Sequence, residues 1–229
     1  MNPKNLYEVL LNRFGELDWW PMDIEYHKIN KSDPRFEVII GAILTQNTAW
    51  SNVEKAINNL KKAEMLNIES IDSVEPDKLK NLIRPSGFFN QKTNRLKIIS
   101  KVLKEKYNSN LDYFFERNIK EIREELLELN GIGPETADSI ILYAGNKPIF
   151  VVDAYTKRLC KRIPLDTELF YDEIQNYFQK NFEKKDLTKI FNNLHAMIVI
   201  LAKNYCKKNP ICNDCPLEKN CCYSKNNLI

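Results

Sequence analysis

The sequence predicts an all-α protein, and three observations support this prediction. Only 6 of the 229 residues are glycine, long runs of β-branched residues are missing, and apolar residues recur at helical rather than alternating spacing. Hydrophobic residues make up 43% of the chain and charged residues 28%, which is typical of a globular protein. Because the net charge is only +3, any surface for nucleic acid must be a local patch.

The predicted helices follow one another along the chain. Residues 36–44 are almost continuously apolar and predict a buried helix, whereas residues 53–62 are amphipathic. The Pro-Ser-Gly segment at residues 85–87 is a turn signal that ends a short helix. Further helices are expected over residues 77–83, 93–107, 119–129, 135–144, 172–182 and 187–203.

A glycine-rich connection separates two of these helices at residues 130–134, which read NGIGP. Gly131 and Gly133 are expected to form a tight hairpin with positive φ, and Pro134 suits the first turn of the next helix. The backbone N–H groups of such a hairpin can bind an anion, for example a DNA phosphate. A plain connection between two helices is the alternative interpretation.

Asp153 follows the apolar residues 148–152, for which we predict a strand, and precedes a helix that begins near Ala154. Its side chain is expected to cap that helix. A carboxylate at a helix N-terminus stays ionised and can stabilise a developing cation. A capping role alone is the simpler interpretation, and the two roles are compatible.

Five of the six cysteines lie between residues 206 and 222, and the N-terminus carries no export signal, so a metal site is favoured over disulfides. Four close thiolates suit an iron–sulfur cluster or Zn²⁺. Cys222 is an alternative fourth ligand, and Cys160 is expected in the core. The candidate ligands, spaced C-x5-C-x2-C-x5-C, are Cys206, Cys212, Cys215 and Cys221.

The hairpin followed by a Val-Asp pair resembles the helix–hairpin–helix/GPD DNA glycosylase superfamily, to which endonuclease III belongs. Residues 36–48 (FEVIIGAILTQNT) and 86–92 (SGFFNQK) are similar to two further segments of that superfamily, and the resemblance covers about residues 19–222. The branch it resembles most is 3-methyladenine DNA glycosylase III, through the WWP, LTQNT and RPSGFFNQK segments and residues 133–139.

The resemblance implies two helical domains that flank a DNA-binding cleft. One domain would be a six-helix barrel over residues 28–147, with the helix–hairpin–helix at about 119–144. The other would combine residues 1–27 with 148–229 and hold a [4Fe–4S] cluster, which the resemblance favours over Zn²⁺. The first cysteine spacing is one residue shorter than the family's C-x6-C.

The resemblance also implies an activity. The target nucleotide would be flipped into the cleft, where Asp153 is the catalytic carboxylate. Glu135 stands where bifunctional members carry a lysine nucleophile, and a carboxylate forms no Schiff base. The expected activity is therefore monofunctional hydrolysis of the N-glycosidic bond of a damaged base, an alkylated purine.

Other residues receive roles from the same resemblance. Gln46 would fill the gap that the flipped nucleotide leaves, and Phe88 would wedge into the opposite side of the base stack. His195, in an apolar helix, is expected to be a hydrogen-bonded core residue. The base would stack on Trp19 or Trp20 and on Trp50, and the DNA backbone would be contacted by Lys92, Gly131 and Gly133.

Three alternatives remain at this point. The first is a bifunctional endonuclease III-type glycosylase and AP lyase that acts on oxidised pyrimidines. A lysine at position 135 would support it, and the chain has glutamate there. An adenine glycosylase would require a further C-terminal domain, and a non-catalytic helix–hairpin–helix DNA-binding module leaves Asp153 unexplained. The expected partner is double-stranded DNA with a damaged base, bound by a cytoplasmic, nucleoid-associated monomer that makes no membrane contact.

Overall fold

The computed structural model describes residues 1–17, 19–163, 165, 169–183 and 185–226, and within these ranges the only regular secondary structure is helical. None of the described helices is long and apolar enough to cross a membrane. The helices are α1 (Pro3–Phe14), α2 (Ile24–Asn30), α3 (Pro34–Leu44), α4 (Trp50–Lys62), α5 (Ile68–Ser73), α6 (Pro76–Ile83), α7 (Phe89–Tyr107), α8 (Leu111–Glu116), α9 (Ile119–Glu128), α10 (Pro134–Ser139), α11 (Ala154–Arg162), α12 (Tyr171–Lys180), α13 (Leu187–Asn204) and α14 (Cys222–Asn226).

The chain divides into two compact units. The central unit is Trp20–Lys147, and the terminal unit combines Met1–Trp19 with Pro148–Ile229. The central unit therefore begins at residue 20 and not at the expected residue 28. Contacts with α3 explain this difference, because Trp20 packs against Gly41 and His27 Nε2 lies 2.9 Å from Glu37 Oε2.

The core of the central unit is built around α3. Asp33 caps this helix by accepting a hydrogen bond from the Arg35 N–H, and Pro34 occupies its first turn. Residues 36–44 are all buried, as their apolar run predicts. A π-helical turn, Ile140–Ala144, continues α10 and packs against α3. The unit holds α2 to α10, more helices than the six that the resemblance implies, and four of them have only six or seven residues.

The terminal unit is centred on α13, which packs against α1 and α11. The predicted strand over residues 148–152 is wrong, because no second strand lies beside this segment in the described residues. Side chains of α12 satisfy its backbone instead. Gln179 Oε1 accepts a hydrogen bond from the Phe150 N–H, and the Gln175 side-chain amide donates to the Phe150 carbonyl oxygen. The Phe150 ring stacks on Phe178, which anchors the segment that leads to Asp153.

Candidate functional site

The glycine hairpin connects α9 to α10, and only one of its two glycines has the expected positive φ. Gly131 has φ +88°, whereas Gly133 has φ −97° and ψ 178° and precedes α10 in extended conformation. The prediction of positive φ at Gly133 is therefore wrong. Gly131 is also required by packing, because a Cβ added to it would lie 2.1 Å from Arg95 Nε, whereas a Cβ at Gly133 would meet nothing.

We therefore expect Gly131→Ala and Gly133→Ala to behave differently. Gly131→Ala should lower the free energy of unfolding by about 1–3 kcal/mol, because it combines a left-handed backbone with a clash against Arg95. Gly133→Ala, the matched control, should cost less than about 1 kcal/mol. Denaturant unfolding of both variants measures the difference, and equal losses would contradict this description of the hairpin.

Gln46 lies against the hairpin and is hydrogen-bonded on both ends of its amide. Its Nε2 donates to the Gly131 carbonyl oxygen over 3.0 Å and to Thr136 Oγ1 over 2.8 Å. Its Oε1 accepts a hydrogen bond from Arg95 Nη1. Arg95 therefore connects the loop that carries Gln46 to the hairpin, a role that no local sequence pattern indicates.

The structure buries Lys92, the predicted contact to the DNA backbone. Its side chain is fully buried, and its ammonium group donates hydrogen bonds of 2.7 Å to the Leu44 carbonyl oxygen, to Thr48 Oγ1 and to the Ser86 carbonyl oxygen. Burial, together with the charge of Arg95, lowers the pKa of Lys92 to about 8. Lys92 instead fastens the end of α3 to the two loops that carry Gln46 and Phe88.

Phe88, the predicted wedge residue, is an exposed apolar side chain in left-handed conformation. It is 61% exposed and has φ +45°, directly after Gly87 with φ +65°. A large apolar side chain with positive φ is uncommon, and such strain is found most often at functional sites. Its left-handed conformation also explains why α7 begins at Phe89, earlier than the predicted residue 93.

The three candidate stacking residues differ in how much ring surface they offer. Trp20 is only 8% exposed, because Gly41 lies against its ring and the rings of Trp50 and Tyr143 pack with centroids 5.3 Å away. Trp50 is half-buried, begins α4 and lines an open pocket of the central unit. Trp19 is also half-buried and is the last residue of the N-terminal segment of the terminal unit.

A buried ion cluster forms one wall of the pocket that Trp50 lines. Glu37 is 3% exposed, and its carboxylate lies 2.9 Å from His27 Nε2 and 2.7 Å from Lys61 Nζ. Burial opposes the ionisation of Glu37, but the contacts with His27, Lys61 and the Asp23 N–H outweigh it, so its pKa lies below the usual value. These charge pairs therefore fix one wall of the pocket.

Asp153 caps α11 as predicted. Its Oδ1 accepts hydrogen bonds from the Thr156 N–H, at 2.7 Å, and from Thr156 Oγ1, at 2.9 Å. The residue is 8% exposed. Burial opposes its ionisation, but the interactions with His195 and Thr156 outweigh it and hold the pKa of Asp153 below its usual value. The carboxylate is therefore ionised at neutral pH.

His195 is buried in α13, as expected of a core residue, but it also stands beside the candidate catalytic group. Its Nε2 lies 3.6 Å from Asp153 Oδ2. The sequence analysis missed this proximity because the two residues are far apart in the chain. Glu135, by contrast, is exposed in the first turn of α10 and belongs to the central unit.

The four candidate cysteine ligands line one pocket of the terminal unit, whereas Cys222 is exposed and lies outside that lining. Burial raises the pKa of the Cys215 thiol, and so do the charges of the other three ligands. As the side chains lie, no three His, Cys, Asp or Glu residues in the described ranges form a closed metal site. The donor set of four thiols around one pocket nevertheless fits a [4Fe–4S] cluster or Zn²⁺.

The helix that Asp153 begins also holds the cysteine loop. Near its end, Arg158 Nε donates to the Cys206 carbonyl oxygen over 2.8 Å. Arg162 Nη1 donates to Cys206 Sγ over 3.2 Å, and Cys221 Sγ donates to the Arg162 carbonyl oxygen over 3.2 Å. One short helix therefore links the carboxylate to the thiols.

Known proteins resemble this chain over most of its length. The family model of the HhH-GPD superfamily base excision DNA repair protein matches residues 40–184. "Putative DNA repair glycosylase MJ1434" of Methanocaldococcus jannaschii is 45% identical over 218 residues, which cover 94% of each chain. Endonuclease III of Thermotoga maritima is 29% identical over 192 residues, which cover 83% of this chain and 84% of the relative.

A solved structure of a DNA glycosylase also resembles this chain. The 3-methyladenine DNA glycosylase MagIII of H. pylori, bound to 1,N6-ethenoadenine, superposes with a TM-score of 0.69 at 29% identity, and the match covers 87% of this chain and 96% of that protein. The resemblance drawn from the hairpin and Asp153 is thereby confirmed at the level of the superfamily. The chain belongs to the HhH-GPD superfamily of base excision DNA repair proteins and is a DNA repair N-glycosylase.

Proposed function

We propose that this glycosylase releases alkylated purines from double-stranded DNA by hydrolysis, acts as a monomer and leaves the abasic strand intact. The observation that carries the proposal is Glu135, the carboxylate in the first turn of α10 where bifunctional relatives carry their lysine. Without an amine at this position, no Schiff base forms with the sugar. The choice of substrate is supported by the WWP, LTQNT and RPSGFFNQK segments and by the likeness to a 3-methyladenine DNA glycosylase over 96% of that protein.

In this proposal Asp153 supplies the chemistry. The bond between C1′ and the base nitrogen breaks and its electron pair leaves with the base, so that positive charge develops on the sugar. The ionised carboxylate stabilises that charge and orients a water molecule. The water oxygen then bonds to C1′ and gives up its proton to the Asp153 carboxylate. Because an N-alkylated purine is already cationic, it departs as a neutral base and needs little help from an acid.

Recognition of the base would rest on Trp50. A cationic purine stacks favourably on the face of a tryptophan, and Trp50 offers more surface than Trp20, which is packed behind it. Gln46 and Phe88 would enter the DNA where the nucleotide leaves the stack. For Gln46 this requires that its hydrogen bonds to Arg95 and to the hairpin be exchanged for contacts with DNA.

A panel of duplexes with single lesions tests the substrate assignment. We expect release of 3-methyladenine and no release of oxidised pyrimidines. The released base is quantified by chromatography under single-turnover conditions. Release of an oxidised pyrimidine as the preferred product would reassign the chain to endonuclease III-type specificity.

The cysteine pocket would hold a [4Fe–4S] cluster through Cys206, Cys212, Cys215 and Cys221. These four thiolates would hold the cluster as a cross-link of the loop between α13 and α14. The exposed Lys207, Lys208 and Lys219 of this segment would then be presented to DNA phosphates.

Metal analysis tests the cluster assignment. Purified protein should be brown and contain about four irons per chain with matching sulfide. Cys215→Ser should lose iron, whereas Cys222→Ser, the matched control, should retain it because Cys222 lies outside the pocket lining. Colourless protein with one zinc per chain would overturn the iron assignment.

A further inference from the structure

We propose that His195 is a positioning residue that keeps Asp153 ionised during base release. This inference rests on the proposed catalytic role of Asp153. The two oxygens of the carboxylate have different surroundings. Oδ1 is occupied by both hydrogen bonds from Thr156, so Oδ2 is the oxygen left for a water molecule or for the charge on the sugar.

Among the described residues, His195 approaches this second oxygen. Its Nε2 lies 3.6 Å from Oδ2, and both side chains are buried, with exposures of 8% and 11%. The separation is longer than an ordinary hydrogen bond, so His195 acts on Asp153 through its charge when the imidazole is protonated. In buried surroundings a charge at this distance acts far more strongly than in water.

Other titratable groups near Asp153 do not share this role. Burial raises the pKa of the Cys160 thiol on α11 to about 12, and the Asp153 charge adds to that effect, so Cys160 stays neutral over the working range. Lys157, also on α11, has its ammonium group 5.7 Å from the centre of the Tyr171 ring of α12. From α13, the group that faces Asp153 is His195.

The sign of the effect follows from the charges. A positive imidazolium beside Oδ2 favours the carboxylate over the carboxylic acid, so Asp153 stays ionised to lower pH than it would alone. Without His195 the acid limb of the rate profile should move to higher pH by roughly one unit. At pH values below the acid limbs of both proteins, the variant would release the base about tenfold more slowly than the wild type. Near neutral pH the rates of variant and wild type would converge.

The experiment measures single-turnover base release from pH 4 to 7 on a duplex with 3-methyladenine, which stays cationic over this range. His195→Leu and His195→Gln remove the charge, and Gln keeps a hydrogen-bond donor. We expect both variants to shift the acid limb upward. Met197→Leu, a change at another buried position of α13, should leave the limb in place. Thermal unfolding and affinity for an abasic duplex confirm that each variant is folded.

The possible outcomes distinguish a charge effect of His195 from a packing effect. An acid limb that stays in place in His195→Leu, or that Gln restores, overturns the inference, because then the charge of His195 is not what acts. A uniform loss of rate at every pH would assign His195 to packing alone. Asp153→Asn is measured in parallel. If this variant remains active, the proposed function fails. If it is inactive and the acid limb of the His195 variants is unshifted, only the inference about His195 fails.

Discussion

Asp153→Asn is expected to lower the single-turnover rate of base release on the order of 1,000-fold while the protein stays folded. Asn is as good an N-cap as Asp, so the hydrogen bonds from Thr156 to Oδ1 of the side chain are kept. What disappears is the negative charge beside the sugar. Because the charge stabilises the transition state more than the ground state, the loss falls on the rate and not on DNA affinity.

Asp33→Asn provides the matched control for this prediction. Asp33 is also an N-cap aspartate, at the start of α3, and its Oδ1 accepts a hydrogen bond from the Arg35 N–H. The chemical change is the same, but no role in base release is proposed for it. Its ion pair with Arg35 weakens and stability can fall, while the rate of base release should stay within about twofold of wild type. Equal losses of rate in the two variants would argue against a special role for Asp153.

The second large effect concerns borohydride trapping. The wild-type protein should give no covalent adduct with lesion-containing DNA, because trapping reduces an imine and an imine requires an amine near C1′. Glu135 supplies none, and the ammonium group of Lys157 lies over the Tyr171 ring. Glu135→Lys should gain a detectable adduct, since it places an amine in the first turn of α10.

Glu135→Gln is the control for this gain. It removes the same negative charge without supplying an amine, so it should remain untrapped. Denaturing gels of borohydride-treated reactions measure all three proteins. A strong adduct with the wild type would show that another lysine is the nucleophile, and the monofunctional assignment would then be wrong.

The sequence was sufficient where a short local pattern determines the structure. The apolar run of α3, the cap at Asp153 and the hairpin at Gly131 each depend on neighbours within a few residues. Helices such as α5 and α8, with six residues each, are too short to show a helical period. The helix α1 was also missed, although Asn2 caps it and Pro3 occupies its first turn.

Side-chain environments that depend on distant residues could not be predicted. Lys92 was assigned to the DNA surface, yet it is buried because three acceptor oxygens from Leu44, Thr48 and Ser86 surround its ammonium group. The approach of His195 to Asp153 likewise joins α11 and α13, which are separated by the 24 residues between Arg162 and Leu187. No local pattern in either segment carries that information.

The central claim is that base release occurs by hydrolysis, and one gel assay tests it most directly. A duplex with one labelled strand carrying 3-methyladenine is incubated with excess wild-type protein and divided into two halves, of which only one is heated with alkali. The predicted result is an intact labelled strand without alkali and cleavage at the lesion with it. Cleavage at the lesion before alkali, in amounts that match base release, would contradict the claim.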